Sequence, residues 1–376
     1  MLDLYFLFSF AWLASFVSVG LRGSFFSSIQ AKWVVYLSAI VVVGLRYATV
    51  DYFNYEHMFY RTEDVSLTGA LLHRNVGTRP IESFYSFLTI IFKDFWGWMP
   101  ETFFLVIAVI AVTLKFYSFQ KMSSYFFLSV FLYLGLGVFR DLEQVRTGLA
   151  ASFLLVSIYH VHRNNLPTAV VWCVLGAQSH VLALAFLPLI VLLRCLNFPP
   201  RLLGWVFLVS VATLFVDLSS LMRFVLTDVL NQSSGSRIVR YFSAADNGRN
   251  LFGGSMQLVM VSGFACILCF DKLTRLNEFN KTLLPAFLFS LSASFLLFDF
   301  SIVSNRLIHM ISLPLLVTIL PSFVSVFRQW RWNYLAFGAL SGYATLTFFI
   351  NARFTENVHI MTFMRDFYEG ASRLLY

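Results

Sequence analysis

The chain has 376 residues, of which 59% are hydrophobic, 12% charged and 44 phenylalanine. A soluble domain carries about 25% charged residues, so this composition cannot supply a water-facing surface, and a soluble enzyme is excluded. The formal charge is +8, from 27 Lys and Arg against 19 Asp and Glu, and a mean hydropathy of +0.75 makes the bilayer the main solvent.

In chain order, apolar runs cover residues 2–20, 32–46, 81–96, 99–117, 123–139, 147–162, 166–178, 180–194, 202–218, 255–271, 282–299, 306–327 and 333–350. A spanning helix needs ~20 mostly apolar residues, so the runs predict an all-α polytopic transmembrane helical bundle of roughly 11–13 membrane segments. Residues 1–376 then form a single integral membrane domain. The first run has no basic residue before it and is followed by Arg22 and Lys32, which predicts an uncleaved helix starting outside.

Basic loops set the orientation. Lys115/Lys121, Arg163, Arg194/Arg201, Lys272/Arg275/Lys281 and Arg328/Arg331 recur on every second turn and are cytoplasmic by the positive-inside rule. The opposite turns are then external: 46–80, Arg140 to Arg146, the Gln178–His180 tip, 217–255, 299–306 and the carboxyl tail. Counting forward from Arg22 and Lys32 leaves one segment too many before Lys115. Run 81–96, which contains Glu82, Ser83, Ser86, Thr89 and Lys93, is expected to be re-entrant or interfacial. Residues 166–194 allow only about 14 per leg, against ~20 for a crossing, and read as a short hairpin with His180 at its tip. Residues 353–376 read as an interfacial amphipathic helix.

Candidate chemistry gathers on the external side. Large basic and aromatic loops at 46–80 and 217–255 and the turns Arg140-Asp-Leu-Glu-Gln-Val-Arg146 and Ser304-Asn-Arg306 oppose the usual charge bias and call for an anionic partner. Arg146 and Arg306 each open a span, where a guanidinium fork can grip a lipid phosphate or diphosphate bidentately; interfacial snorkelling is the alternative. Asp51 follows Arg46 just past a span and can serve as a base toward a sugar hydroxyl, or as a helix N-cap or ion-pair partner. His180 can hydrogen-bond a diphosphate or act as acid or base, or be purely structural. Asp141-x-Glu143 resembles an acidic metal motif, with ion pairing to neighbouring arginines competing. His160-x-His162 and Cys266-x-x-Cys269 are weak metal or redox signals on apolar helices.

Several short motifs occur in a particular order: Gly44-Leu-Arg46-Tyr, Asp51-Tyr-Phe-Asn-Tyr55, Pro80-Ile-Glu82, Arg146-Thr-Gly-Leu-Ala150, His180 opening an apolar run, and Asn305-Arg306-Leu307. In these the chain resembles the Wzy-type O-antigen polymerases and the related EpsG-like polysaccharide polymerases. The resemblance implies a C-type glycosyltransferase architecture in the bacterial inner (cytoplasmic) membrane. It implies a reaction on undecaprenyl-diphosphate-linked oligosaccharide repeats, building O-antigen or a related surface polysaccharide at the periplasmic face. The site expected on this reading has Asp51 as catalytic base and Arg46, Tyr52, Tyr55, Arg146, His180, Arg237, Arg240 and Arg306 binding substrate. No cofactor or metal is expected. The partners are the lipid-linked oligosaccharide, the bilayer and a chain-length regulator protein, with no nucleic acid. A lipid-linked oligosaccharide flippase and an O-antigen ligase are the competing functions.

Overall fold

The computed structural model describes residues 2–20, 29–44, 52–60, 75–76, 79–80, 83–195, 198–215, 254–298, 300–328 and 332–359. These are helical apart from turns and a two-residue antiparallel ladder, Asn75–Val76 with Arg79–Pro80. Helices α1 (Leu2–Gly20), α2 (Ile29–Gly44) and α3 (Tyr52–Tyr60) are followed by α4 (Ser83–Ile90), which runs into a π turn, Ile91–Phe95. The central group is α5 (Pro100–Met122), α6 (Phe126–Leu136), α7 (Val138–Glu143), α8 (Val145–His162) and α9 (Leu166–Ser179). A 3-10 turn, Val181–Ala185, leads into α10 (Phe186–Cys195) and α11 (Pro200–Thr213). The remaining helices are α12 (Gly254–Leu268), α13 (Phe270–Leu276), α14 (Asn280–Leu296), α15 (Ser301–Leu307), a π turn Ile308–Ser312, α16 (Leu313–Ile319), α17 (Pro321–Arg328) and α18 (Asn333–His359).

Local chemistry explains the punctuation. Gly97 takes φ +62°, a left-handed conformation that glycine adopts without penalty. Met99 is extended (φ −81°, ψ 159°) ahead of Pro100 at the first position of α5, as the ring of a following proline requires. Asn164 takes φ 59°, and Asn165 caps α9 by accepting from the Thr168 N–H at 3.3 Å, so two asparagines make the α8–α9 turn. Pro314 offers no N–H to the turn before it, and there the ladder loosens into the π turn.

The buried interior and the outer surface are both apolar. Large side chains face outward, including Leu268 (84% exposed), Phe6 (69%) and Trp205 (67%), a surface that water would not tolerate and lipid does. Three continuous helices among the described residues are long and apolar enough to cross a bilayer: Pro100–Met122, Val303–Arg328 and Asn333–Ala352. Gln257–Leu268 and Phe270–Leu276 make a fourth if the pair, bent by 78°, is one span. Shorter apolar helices such as Leu4–Val19, Ile29–Gly44 and Leu166–Ser179 fill the rest of an all-α polytopic membrane protein.

The helices share two ends. At one, the Asn277 amide donates to Met122 O (2.7 Å), Ser124 and Ser322 hydroxyls meet at 3.0 Å, and His162 Nδ1 lies 3.1 Å from the Thr282 hydroxyl. Lys32 sits over the Phe126 ring at 5.6 Å, and Lys121 over Tyr117 at 5.9 Å. This basic end therefore gathers the loops that the charge pattern places on one side. His162 is occupied there by Thr282 and by the Phe279 ring, whose centroid is 4.2 Å away.

Segment 83–95 is short. Its eight-residue helix and five-residue π turn reach about 20 Å, short of the ~30 Å hydrocarbon core. Tyr85 and Phe92 pack on Phe103, Phe84 packs on Phe153, and Lys93 Nζ donates to Tyr60 O at 2.9 Å. It thus fills the half of the bundle where α5 and α8 begin.

One expectation needs correction, and two gain detail. Lys115 is not a loop residue but lies inside α5, buried against Asp141, because its long apolar stem lets the ammonium reach a carboxylate within the bundle. His180 joins the two legs of the 166–194 hairpin, yet it is only 4% exposed, because α8 packs against that hairpin. Residues 353–359 continue α18 without a break, since no Gly or Pro interrupts the run; 360–376 lie outside the described residues.

Candidate functional site

The end opposite the basic one is organised around the α7–α8 junction. Helix α7 stops at Gln144 (φ −115°, ψ 69°), and α8 starts one residue later, which places Arg146 in the first turn of α8. The Arg146 guanidinium lies 5.6 Å from the Tyr55 ring centroid, a cation–π distance. Tyr55 belongs to α3 and is itself buried. Tyr52, one helical turn earlier, is buried with its hydroxyl 3.2 Å from Glu101 Oε1 as donor. Both tyrosines therefore face the protein: one lies against the candidate arginine and the other anchors α3 to the start of α5.

This arrangement is sunk below the start of α5. Val145, Gly148 and Leu149 share a small cavity with Ile107, Ala108 and Ala111, so α8 begins about two turns, or ~10 Å, along α5. A group at Arg146 is thereby set below the end of the longer helix, with α3 beside it.

Antiparallel packing brings His180 to the same level. A Cβ at Gly176 would lie 3.4 Å from Ala150 O and 3.5 Å from Phe153 Cβ, so the carboxyl end of α9 meets the amino end of α8. His180 caps α9, and its Nδ1 accepts the Leu182 N–H at 3.3 Å. In the neutral ring that leaves the proton on Nε2.

Arg306 reaches this level by a parallel route. Thr147, Gly148 and Ala151 of α8 line one cleft with His309, Leu313 and Val317, a descending register that puts Arg306, one turn before His309, beside the start of α8. Arg146, His180, Arg306, Tyr52 and Tyr55 therefore converge on one end of the bundle. Arg46, Asp51, Arg237 and Arg240 lie outside the described residues.

The acidic pair separates. Asp141 turns inward to the Lys115 ammonium and the Tyr133 hydroxyl, which both donate to its carboxylate. Glu143 instead meets Arg140, with Nη1–Oε2 at 3.5 Å. Burial without a partner would be costly for either charge in Lys115–Asp141, and Tyr133 supplies the carboxylate with a second hydrogen bond. Among the described residues, no three His, Cys, Asp or Glu side chains come together as a metal site, and Cys266 and Cys269 are both free thiols.

Sequence reasoning missed Lys115, Tyr133 and His309. The signal for Lys115 was a charge inside an apolar run, which in a membrane marks a paired or functional group. His309 sits in the π turn, and such turns recur at functional sites. Beside it, a cavity of about 760 Å³ opens between α6, α7, α12, the π turn and α18, with Arg140, Glu143 and His309 in its wall.

No curated protein and no solved structure matches the chain. The EpsG family matches residues 32–363, nearly the whole length and all the motifs that carry the resemblance. The chain thus belongs to the EpsG family, a family of Wzy-like O-antigen and EpsG polysaccharide polymerases.

Proposed function

We propose that the chain is a membrane glycosyltransferase that polymerises undecaprenyl-diphosphate-linked oligosaccharide repeats at the periplasmic face of the bacterial inner membrane. In this reading the whole chain acts as one integral membrane domain of the C-type glycosyltransferase architecture. The observation that carries it is the convergence of Arg146, Arg306 and His180 at the end opposite Lys32 and Lys121, within a chain of the EpsG family.

Arg146 and Arg306 hold the donor diphosphate, since guanidinium forks match phosphate oxygens and stay charged at any physiological pH. The Tyr55 ring beneath Arg146 keeps that fork oriented. His180 donates from Nε2 to a phosphate oxygen. Arg46, Arg237 and Arg240 contribute further positive charge from the loops 46–80 and 217–255. The acceptor hydroxyl oxygen forms the new bond to the donor anomeric carbon as the bond from that carbon to the diphosphate oxygen breaks. The hydroxyl proton passes to Asp51, and undecaprenyl diphosphate leaves with the electron pair. Its developing charge is what the arginines stabilise.

Incubating the purified protein with lipid-linked repeat units tests this directly. A ladder of lipid-linked polymers is the expected product. Transfer only onto a lipid A core would identify a ligase, and movement of the lipid between leaflets without new glycosidic bonds would identify a flippase.

A further inference from the structure

We propose that the cavity between α6, α7, α12 and α18 is a second lipid site, binding a polyprenyl chain with a phosphate or diphosphate head, where the acceptor substrate stays anchored. This rests on the polymerase reading, because such a reaction joins two lipid-linked glycans at once. The donor releases its lipid diphosphate, whereas the acceptor keeps its own, so one polyprenyl-phosphate grip at Arg146 is not enough.

The cavity has the size and polarity for such a guest. Its volume of about 760 Å³ is that of a ligand pocket. Helix α12 begins and α18 finishes at the Arg146 end of the bundle, so Gln257 and Asn351 in the wall lie toward that end with Arg140 and His309. Farther from it the wall carries no charged group: Val261, Leu313 and Leu346 are apolar, and Tyr343 and Thr347 add neutral hydroxyls. Such a gradient suits a charged head at one end and an isoprenoid tail at the other. It is open to solvent or lipid rather than closed, since the Arg140 side chain remains 41% exposed.

Two polar groups fit an anion. His309 Nδ1 is buried in the wall with no hydrogen-bond partner among the described residues, and a buried polar atom without a partner calls for an explanation; a phosphate oxygen supplies one. Among the described residues Arg140 pairs with Glu143 alone, at 3.5 Å, a long contact that leaves most of its fork for phosphate. Arg140 and Arg146 are six residues apart, so at most about 21 Å of chain separates them. Sugars attached to heads at the two arginines can therefore meet above the α7–α8 junction.

Photocrosslinking to full-length protein in nanodiscs tests the site, with a benzophenone-bearing farnesyl diphosphate as the probe. Peptides from α12 or α18 should be labelled, in addition to any labelling near α8 and α9. Undecaprenyl diphosphate should compete, and phosphatidylglycerol at the same mole fraction should not. Arg140→Gln with His309→Ala should lower α12 and α18 labelling about tenfold, and Val261→Trp, which fills the cavity without touching the charges, should lower it as well at unchanged protein abundance. Absence of label on α12 and α18, or equal competition by phosphatidylglycerol, would overturn the proposal. Label there without ladders would sink the polymerase reading and leave the lipid site standing; ladders without such label would sink the lipid site alone.

Discussion

The Lys115 ammonium reaches from α5 to the Asp141 carboxylate on α7, and the two side chains are only 2% and 8% exposed. Tyr133 of α6 donates to the same carboxylate, so one acidic group fastens three helices together directly below the turn that presents Arg140 and Arg146.

Removing one partner strands the other charge. Lys115→Met should destabilise the protein by about 3–5 kcal/mol, the usual range for breaking a buried pair, and adding Asp141→Asn should recover most of the loss. Membrane abundance and thermal unfolding of the detergent-solubilised protein provide the measurement. A single variant as stable as the parent would remove the pair from any structural role.

The close approach of α8 to α7 has its own test. A methyl at Gly148 would collide with the Asp141 carboxylate, whereas one at Gly176 would meet only ordinary neighbours, from 3.4 Å outward. Gly148→Ala should therefore lower stability by about 1–3 kcal/mol, as overpacking does, and Gly176→Ala should change it far less. Equal melting temperatures for the two variants would contradict the assigned packing.

The proposed division of labour at the site predicts distinct severities. Arg146→Lys and Arg306→Lys should abolish polymer ladders despite retaining charge, because an ammonium lacks the planar fork. Asp51→Asn should slow chain formation about 10²–10⁴-fold if it takes the acceptor proton. Tyr55→Leu should weaken activity less than Arg146→Lys, since it removes only the ring under the guanidinium. All should accumulate normally in the membrane. Normal ladders in both Arg→Lys variants would dispose of the diphosphate clamp, and near-normal polymerisation in Asp51→Asn would remove that residue from catalysis.

Orientation can be read with thiol reagents. In a background lacking Cys173, Cys195, Cys266 and Cys269, a cysteine at Trp98, next to the start of α5, should react with an impermeant maleimide in permeabilised outer-membrane preparations with the inner membrane intact. One at Arg275, at the basic end, should not. The reverse pattern would turn the protein over in the bilayer.

The sequence revealed what depends on composition and spacing. Alternating basic loops located the two ends, the shortness of 81–96 exposed a half-length helix, and the 166–194 hairpin was visible from its length. What escaped depends on three-dimensional contact. Lys115 lies six residues before Lys121, so charge counting merged a buried side chain with a surface one. Asp141 and Glu143 look like a matched acidic pair in the chain, yet two residues apart on a helix they point to opposite faces and so meet different partners. The burial of Tyr52 and Tyr55 shows only in the packing of α3 on α5. The cavity was invisible because its walls come from residues as far apart as Leu136 and Asn351.

That span of sequence also bears on how the protein is made. Ribosomes deliver a chain from its amino terminus, and one wall of the cavity, from Tyr343 to Asn351, belongs to α18, which follows all the other walls in the chain. Its position is fixed where Gly135 lets the α18 backbone come close, since a Cβ there would stand 2.7 Å from Ala344 O. A nascent chain stalled before α18 would carry a groove open along its side where the finished protein has a pocket, so the pocket is complete only after insertion of α18.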